Sequence, residues 1–263
     1  MLHYHRLGHG PHVLLAFHGI GQDGINCYQP FAEVLGDYYT LYAFDLYFHG
    51  QSRTTSTDDF HETSPITKAA WKQIVQEFLS DNSIDRFDVA GFSMGGRFAL
   101  ATLEAFPEQI GQAYLMAPDG VREHPLYGLA TRLAPGRYLF RQVLEHPDKL
   151  FSAARLLEKA GLLHSSLIRF VQHMLATPAQ RQTVYHSWLG FRPLRFNISV
   201  LYGTLHNNGV LVYLFMGKYD QLLRPDKVRV LSRRLPENQY IVLSCGHTQL
   251  VAKAAAYLSS LVK

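Results

Sequence analysis

Short apolar runs alternate with helical patterns over most of the chain, and this alternation limits the possible folds more than any other feature. The runs are nearly continuous in apolar residues, which is typical of strands buried on both faces of a parallel sheet. They cover residues 12–17, 39–44, 87–90, 112–116, 210–216 and 239–243. The helical patterns cover residues 28–35, 64–79, 95–106, 225–234 and 248–262. Strands that alternate with helices form βαβ units, so the pattern predicts an α/β fold with a mostly parallel sheet.

The length and composition allow a substantial core. A chain of 263 residues suits one α/β domain with an insertion. Hydrophobic residues make up 47% of the chain and charged residues 17%, which excludes a disordered chain. The formal net charge is only +4 and no nucleic-acid-binding motif is present, so we expect a small-molecule partner and no nucleic acid. The oligomeric state stays open.

The two cysteines, Cys27 and Cys245, are too few for a disulfide framework and match no metal-ligand spacing. We expect both to be small buried side chains in a reducing compartment. The first residues contain no apolar signal core, and no stretch approaches the roughly 18 apolar residues of a membrane span. The sequence therefore predicts a cytoplasmic protein without a membrane span or a metal.

The strand–helix alternation stops between residues 119 and 207, where the patterns are helical only. Residues 121–205 contain 11 Arg and Lys against 4 Asp and Glu, a net charge of +7, which leaves 14 against 17, or −3, for the other residues. We predict a core domain of residues 1–120 and 207–263 and a helical cap of residues 121–206. A helical insertion between two strands is expected to cover the carboxyl edge of the sheet, where α/β proteins bind ligands.

Ser93 lies in the motif Gly91-x-Ser93-x-Gly95, directly after one apolar run and directly before a helical pattern. This context predicts a nucleophile elbow, in which a tight strand-to-helix turn raises the serine hydroxyl above the sheet. The small neighbours on either side avoid a clash in that turn. The helix N-terminus behind the serine favours developing negative charge. We therefore predict that Ser93 is a nucleophile.

A serine hydroxyl is a poor nucleophile at neutral pH, so it needs a base, and the base needs a carboxylate that orients it. In elbow enzymes the acid and the histidine follow the serine in chain order. Of the 14 histidines, His206 and His247 lie near the strands that follow the predicted cap. His247 comes directly after the last apolar run, at the carboxyl edge of the sheet. We predict that His247 is the base.

Two acids compete for the orienting position. Asp220 follows the run at 210–216, and Asp119 follows the run at 112–116. Asp220 has the longer loop that is needed to place a carboxylate behind a histidine, whereas Asp119 and Gly120 resemble a turn into the cap. We favour Asp220 and keep Asp119 as the alternative.

The tetrahedral intermediate of acyl transfer needs hydrogen-bond donors for its oxyanion, each worth about 3 kcal/mol. The elbow supplies the backbone N–H of Met94. The loop after the early strand, residues 18–22, is expected to supply the backbone N–H of Ile20. We expect His18 to hold this loop by hydrogen bonds and to take no part in proton transfer.

With these residues assembled, the chain resembles the α/β-hydrolase superfamily over nearly its whole length. The resemblance rests on five motifs in order: His18-Gly19, Asp45-x-x-x-His49-Gly50-x-Ser52, Gly91-Phe92-Ser93-Met94-Gly95-Gly96, Gly217-x-x-Asp220 and Gly246-His247. The resemblance implies a mostly parallel central sheet of about seven to eight strands flanked by helices, with a helical cap inserted after the sixth strand. It also implies that Asp45, His49 and Ser52 shape a loop near the site.

The resemblance narrows the reaction without fixing it. Epoxide hydrolases and haloalkane dehalogenases carry an aspartate at the elbow, so Ser93 argues against both. Carbon–carbon bond hydrolases usually have a tryptophan after the catalytic histidine, where this chain has Thr248. The leading expectation is a serine hydrolase that cleaves a carboxylic ester or thioester, and this chemistry requires no metal or organic cofactor.

The cap is expected to determine specificity. Tyr185, Trp188 and Arg192 are predicted to contact the substrate, although packing inside the cap explains these residues equally well. The basic excess of the cap suggests an anionic substrate such as a CoA thioester or a phospholipid head group, and a solvated face of long helices is the alternative. The alternative functions are an idle small-molecule receptor or interaction module, or a C–C hydrolase, lyase or acyltransferase with the same triad.

Overall fold

The computed structural model describes residues 2–52, 64–123 and 125–261. The strands in these ranges are β1 Tyr4–Leu7, β2 His12–Phe17, β3 Tyr39–Phe44, β4 Phe87–Phe92, β5 Ile110–Met116, β6 Leu211–Gly217 and β7 Tyr240–Leu243. The α-helices are α1 Gly24–Leu35, α2 Lys68–Asp81, α3 Gly95–Ala105, α4 Pro125–Arg132, α5 Ala134–Glu145, α6 Pro147–Lys159, α7 Ser165–Met174, α8 Pro178–Gly190, α9 Ile198–Asn207, α10 Arg229–Ser232 and α11 Leu250–Ser259.

The strands form one sheet in the order β1-β3-β2-β4-β5-β6-β7. β1 pairs with β3 antiparallel, and every other neighbouring pair is parallel. This confirms the prediction of a mostly parallel sheet of about seven to eight strands flanked by helices. Because the strands β2 to β7 are parallel, their carboxyl ends meet at one edge of the sheet.

The runs that predicted strands are buried because helices cover the sheet. All six residues of β3 are buried, as are the last four residues of β2. In contrast, β1 lies at the edge of the sheet and contains His5 and Arg6, with no fully buried residue. A partly exposed edge strand has no apolar run, so the sequence pattern did not reveal β1.

Helix boundaries follow local capping. The predicted helix 64–79 begins only at Lys68, because the side chain of Thr67 accepts a hydrogen bond from the backbone N–H of Ala70 and caps the helix. The predicted helix 225–234 divides into a 3₁₀ turn, Pro225–Val228, and α10. The predicted final helix begins with a 3₁₀ turn at His247–Gln249 before α11.

Six helices, α4 to α9, lie between β5 and β6, and the described residues of this segment contain no strand. The segment follows the fifth of the seven strands, whereas the resemblance implied an insertion after the sixth, so that position is not confirmed. Its helices enclose a small apolar cluster of their own, made of Leu144, Met174, Leu175, Val184, Tyr185 and Leu189. Ile198, Leu201 and Leu205 of α9 instead pack in the main core. The boundaries of a cap at residues 121 and 206 stay a prediction.

Among the described residues, no helix combines the length and the apolar composition that crossing a bilayer requires.

Candidate active site

Ser93 lies in the turn between β4 and α3 with a backbone φ of 51°. Its N–H donates to the carbonyl of Met116 at 3.0 Å, and its carbonyl accepts from the N–H groups of Gly96 at 2.9 Å and Asp119 at 2.8 Å. A non-glycine residue in this left-handed region costs about 1–3 kcal/mol, so the surrounding bonds hold the strained conformation. The strain aims the side chain of Ser93 away from the sheet, as in a nucleophile elbow.

The two glycines of the motif allow the helix to approach the sheet closely. A Cβ atom at Gly91 would lie 2.6 Å from the Cβ of Ala99, and one at Gly95 would overlap the carbonyl of Phe17. Any side chain at Gly95 would therefore push the start of α3 away from the end of β2. This close approach brings Ser93 to the loop that follows β2.

Asp220 and His247 form a hydrogen-bonded pair. The imidazole Nδ1 of His247 lies 2.6 Å from Oδ2 of Asp220, and the other carboxylate oxygen accepts from the N–H groups of Leu222 at 2.8 Å and Leu223 at 3.0 Å. Asp220 is buried. Because the carboxylate is held on both oxygens, it fixes Nδ1–H as the donor and leaves Nε2 of His247 as a proton acceptor.

The ring of His247 lies beside the elbow. Its centroid is 4.8 Å from the ring of Phe92, the residue that precedes Ser93. Phe170 of α7 contacts the same imidazole edge-on, with ring centroids 6.2 Å apart. The base predicted from the sequence is thus packed between the end of β4 and the helical insertion, where little water reaches it.

Asp119, the alternative acid, and His206, the alternative base, contact other residues. Asp119 forms a two-pronged ion pair with Arg97, with Nε–Oδ2 at 2.6 Å and Nη2–Oδ1 at 3.2 Å. His206 is exposed on α9 and stacks on Tyr202, with ring centroids 6.1 Å apart. The structure therefore brings Asp220, and not Asp119, to His247.

Ser93, Met94 and Ile20 line one cavity of about 120 Å³. Met94 is the residue directly before α3, and Ile20 lies in the loop after β2. Among the described backbone hydrogen bonds outside helices and strands, neither Met94 nor Ile20 donates one. Their N–H groups are consequently suited to bind an oxyanion beside Ser93.

His18 holds the loop that carries Ile20. Its Nε2 accepts from the N–H of Leu46 at 3.0 Å, which assigns the ring proton to Nδ1, and Nδ1 lies 2.7 Å from the carbonyl of Gly19. Complete burial lowers the pKa of His18 below its ordinary value of 6.5, so the ring is neutral at pH 7. Both ring nitrogens are occupied by backbone groups, which leaves no position for proton transfer.

The Asp45 loop is tied together by backbone donors. Asp45 Oδ1 accepts from the N–H of Gly24 and Oδ2 accepts from the N–H of Gln51, both at 2.8 Å. Nδ1 of His49 lies 2.9 Å from the carbonyl of Tyr47, and Ser52 Oγ accepts a hydrogen bond from the backbone N–H of His3. Burial alone raises the pKa of Asp45, but these N–H groups and nearby imidazoles lower it below its ordinary value.

Helices of the insertion form the opposite wall of the cavity. Trp188 of α8 and Tyr127 of α4 line it, together with Phe191. Of the three residues predicted to contact substrate, only Trp188 lines this cavity. The ring of Tyr185 packs against Phe140 at 5.8 Å inside the apolar cluster of the insertion.

Arg192, the third of those residues, donates to the carbonyl of Leu189 at 3.0 Å and does not line the cavity. Trp188 lines the cavity and the other two residues do not. Tyr185 lies on another side of α8, and Arg192 lies in the residues that follow α8. Their contact with substrate stays a prediction.

Arg97 was not among the predicted site residues, although it lines the cavity. It is 2% exposed, donates to the carbonyl of Leu194 at 3.2 Å, and lies 4.3 Å over the ring of Tyr127. Burial alone lowers its pKa, but the carboxylate of Asp119 raises it above its ordinary value, so the guanidinium is charged. The available signal was its position four residues after Ser93, which is about the spacing of one helical turn.

A family model described as alpha/beta hydrolase fold matches residues 12–254. An uncharacterised protein of Mycobacterium tuberculosis is 32% identical over 114 residues, which are 43% of this chain and 31% of that relative. The match thus spans about a third of the length of that curated relative. A pimeloyl-[acyl-carrier protein] methyl ester esterase of Nitrosomonas europaea is 24% identical over 280 residues, 98% of this chain and 97% of the relative.

Solved structures agree with this match. A thermophilic esterase from Thermogutta terrifontis superposes with a TM-score of 0.69 at 18% identity, covering 99% of this chain and 91% of that chain. A meta-cleavage product hydrolase from Pseudomonas fluorescens superposes with a TM-score of 0.64 at 18% identity, covering 99% and 92%. Identities this low show the fold alone. Since the family model spans nearly the whole chain, the chain belongs to the α/β-hydrolase fold family.

Proposed function

We propose that the chain is a serine hydrolase that cleaves a carboxylic ester or thioester through an acyl-enzyme on Ser93. The observation that carries the proposal is the 2.6 Å hydrogen bond between His247 and Asp220, next to a serine held at a backbone φ of 51°. A receptor or an interaction module has no need for an oriented imidazole beside a strained serine. The pair therefore favours an enzyme over an idle member of the fold.

In the proposed reaction, Ser93 Oγ attacks the carbonyl carbon while Nε2 of His247 takes the hydroxyl proton. The N–H groups of Met94 and Ile20 bind the oxyanion of the tetrahedral intermediate. His247 then returns the proton to the alcohol or thiol that leaves. Water then attacks the acyl-enzyme, with His247 taking a proton from the water and giving it to Ser93 Oγ as the carboxylic acid leaves. Asp220 keeps the imidazole in one tautomer throughout.

The relatives are compatible with ester chemistry and with carbon–carbon bond cleavage. One relative that aligns over nearly the whole chain is named for a methyl ester, and one solved neighbour is an esterase. A meta-cleavage product hydrolase has a similar fold, so a C–C hydrolase is the second candidate. Thr248, directly after His247, disfavours that candidate, because those enzymes usually carry tryptophan there.

A cytoplasmic location and a small-molecule substrate belong to the same proposal. Cys27 and Cys245 are buried free thiols, as is usual in a reducing compartment. Burial raises the pKa of Cys27 to about 12, so this thiol is unreactive at neutral pH.

Labelling with a fluorophosphonate tests the proposal. We expect one covalent adduct, located on Ser93 by peptide mass spectrometry, and none in Ser93→Ala. Asp220→Asn should slow ester turnover by about 10³- to 10⁴-fold, because the wrong imidazole tautomer then faces the serine. Asp226→Asn is the matched control, since its carboxylate binds Arg224 and Lys227 at the surface, and it should keep labelling and turnover within a few fold.

Two outcomes would contradict the proposal. Folded protein without an adduct on Ser93 would favour the receptor. Full turnover in Asp220→Asn, together with an inactive Asp119→Asn that circular dichroism shows to be folded, would assign the orienting carboxylate to Asp119. Product analysis with ester, thioester and vinylogous diketone substrates, with and without added alcohol acceptors, separates the hydrolase from the C–C hydrolase and the acyltransferase.

A further inference from the structure

Two histidines and an aspartate converge at one end of the pairing between β1 and β3. β1 runs antiparallel to β3 with Tyr4 opposite Phe44. The next pair outward joins His3 to Asp45, whose backbone N–H donates to the carbonyl of His3 at 2.9 Å. Because side chains alternate along an extended strand, His3 and His5 lie on the same face, which is the face of the Asp45 carboxylate.

The three side chains are close enough to share one ion. Their ligand atoms all lie within 4.8 Å of one another. Nε2 of His5 is 3.3 Å from both carboxylate oxygens of Asp45, and the rings of His3 and His5 meet edge to face at 4.8 Å. Ligands bound to Zn²⁺ at about 2.0–2.2 Å are about 3.4 Å apart, so His5 and Asp45 already have that spacing. His3 precedes β1 and is partly exposed, so we expect its ring to move towards the other two ligands when an ion binds.

Asp45 is oriented in the way that metal-bound carboxylates usually are. Its two oxygens accept from the N–H groups of Gly24 and Gln51. An ionised carboxylate offers about four lone-pair positions, so both oxygens can still bind a cation. Hydrogen bonds from a surrounding shell are typical of ligating carboxylates, because they fix the direction of the lone pairs. The side chain of His5 is 18% exposed, which gives an ion a path to the buried carboxylate.

We propose that His3, His5 and Asp45 bind a divalent d-block cation of the zinc class, with water completing the coordination. Two imidazoles and one carboxylate suit Zn²⁺, Co²⁺ and Ni²⁺ and are poor ligands for Mg²⁺ or Ca²⁺. Within the described residues, this is the one group of three or more such side chains that is close enough to hold an ion. The ion joins the edge strand β1 to the Asp45 loop, so its effect is on stability, and no step at Ser93 passes through it.

Metal binding to tag-free protein at pH 7.5, stripped with a chelator and then titrated with ZnCl₂, tests the proposal. We expect one Zn²⁺ per chain by calorimetry and a rise in Tm of roughly 5 °C at a hundredfold excess over Kd. His3→Gln and His5→Gln should each weaken binding at least tenfold and reduce the rise in Tm to about half or less at the same concentration of ZnCl₂. Bound Co²⁺ should show the intense visible absorption of a four-coordinate site.

His9→Gln is the matched control, because His9 is an exposed histidine whose Nε2 lies 3.5 Å from exposed Asp37. It should bind Zn²⁺ like the unaltered chain. The proposal would be overturned if His3→Gln and His5→Gln bound Zn²⁺ as tightly as the unaltered chain, or if His9→Gln lost as much affinity as they do. Binding of Zn²⁺ to the unaltered chain without a rise in Tm would also overturn it. Far-ultraviolet circular dichroism of each metal-free variant verifies folding, and His3→Gln decides if His5→Gln does not fold. Fluorophosphonate labelling of Ser93 is expected to be the same in these variants as in the unaltered chain. A failure of labelling would therefore count against the proposed function and would leave the metal site untouched.

Discussion

His18 shows how one buried side chain shapes the loop beside the nucleophile. Its ring joins the carbonyl of Gly19 to the N–H of Leu46, and thereby ties the loop after β2 to the loop after β3. Both contacts need a neutral ring with the proton on Nδ1. A second proton on Nε2 would remove the acceptor for Leu46 and place a charge in the core, which is why burial lowers the pKa of His18.

We predict that His18 makes the protein less stable in mild acid. The folded-state pKa of His18 lies below 6.5, so the unfolded state binds more protons as the pH falls. The stability is complete above pH 6.5 and decreases below it, by up to about 1.4 kcal/mol per pH unit, until the folded-state pKa is reached. Urea unfolding at pH 7.5, 6.5 and 5.5 measures the slope, which should be smaller in His18→Gln. His206→Gln, which removes an exposed histidine, should keep the original slope, and equal slopes in all three proteins would contradict the prediction.

At the scale of elements, helix α3 is held at both its start and its first turn. The carbonyl of Ser93 accepts from the N–H of Asp119, and the side chain of Asp119 binds Arg97. Arg97 also donates to the carbonyl of Leu194, which lies between α8 and α9. The elbow helix, the loop after β5 and the helical insertion are thus joined through one buried guanidinium.

We predict that Asp119→Asn destabilises the fold by about 3 kcal/mol. The substitution leaves the buried charge of Arg97 without a counter-charge, and breaking a buried ion pair from one side is costly. The free energy of unfolding, measured in urea, checks the value. Asp226→Asn is the control, because Asp226 binds Arg224 and Lys227 at the surface and its removal should leave stability nearly unchanged. A small effect of Asp119→Asn would mean that water compensates Arg97, since the side chain of Asp119 is 30% exposed.

At the scale of the whole molecule, the helical insertion closes over the carboxyl edge of the sheet. Met174 of α7 lies against Gly21 in the loop that carries Ile20, and Phe170 contacts His247. The cavity that the described residues form beside Ser93 is about 120 Å³, small compared with the roughly 300–1,000 Å³ of sites for drug-sized ligands. This size favours a short acyl group in the proposed reaction.

We predict that Trp188→Ala shifts the acyl-chain preference towards longer esters. The indole lines the cavity, so its removal should raise kcat/KM for p-nitrophenyl octanoate relative to the acetate by roughly tenfold. Tyr185→Leu, on the same helix but outside the cavity, should leave the ratio unchanged. An unaltered ratio in Trp188→Ala, or an equal shift in Tyr185→Leu, would show that acyl chains bind elsewhere.

Periodicity and motifs predicted the sheet and named the candidate triad, because strong local patterns survive folding. Buried parallel strands are apolar throughout, and the turn around Ser93 tolerates only very small neighbours. Weak patterns did not reveal β1, a short edge strand, or the late start of α2 at Lys68. Two of the three residues predicted to contact substrate lie away from the cavity, because the sequence does not say which side chains of α8 and of the residues after it face the sheet.

The sequence by itself determined the class of fold, the alternation of the buried strands with helices, and the residue types available for chemistry. It left Asp119 and Asp220 as alternatives, and only the tertiary structure decided that Asp220 meets His247 while Asp119 binds Arg97. The cavity beside Ser93, the burial of Arg97 and the approach of His3 and His5 to Asp45 were also decided there. The physical reason is the separation of the contacting residues along the chain. Strand and helix patterns depend on near neighbours in sequence, whereas these contacts join distant residues that meet only when the sheet is assembled.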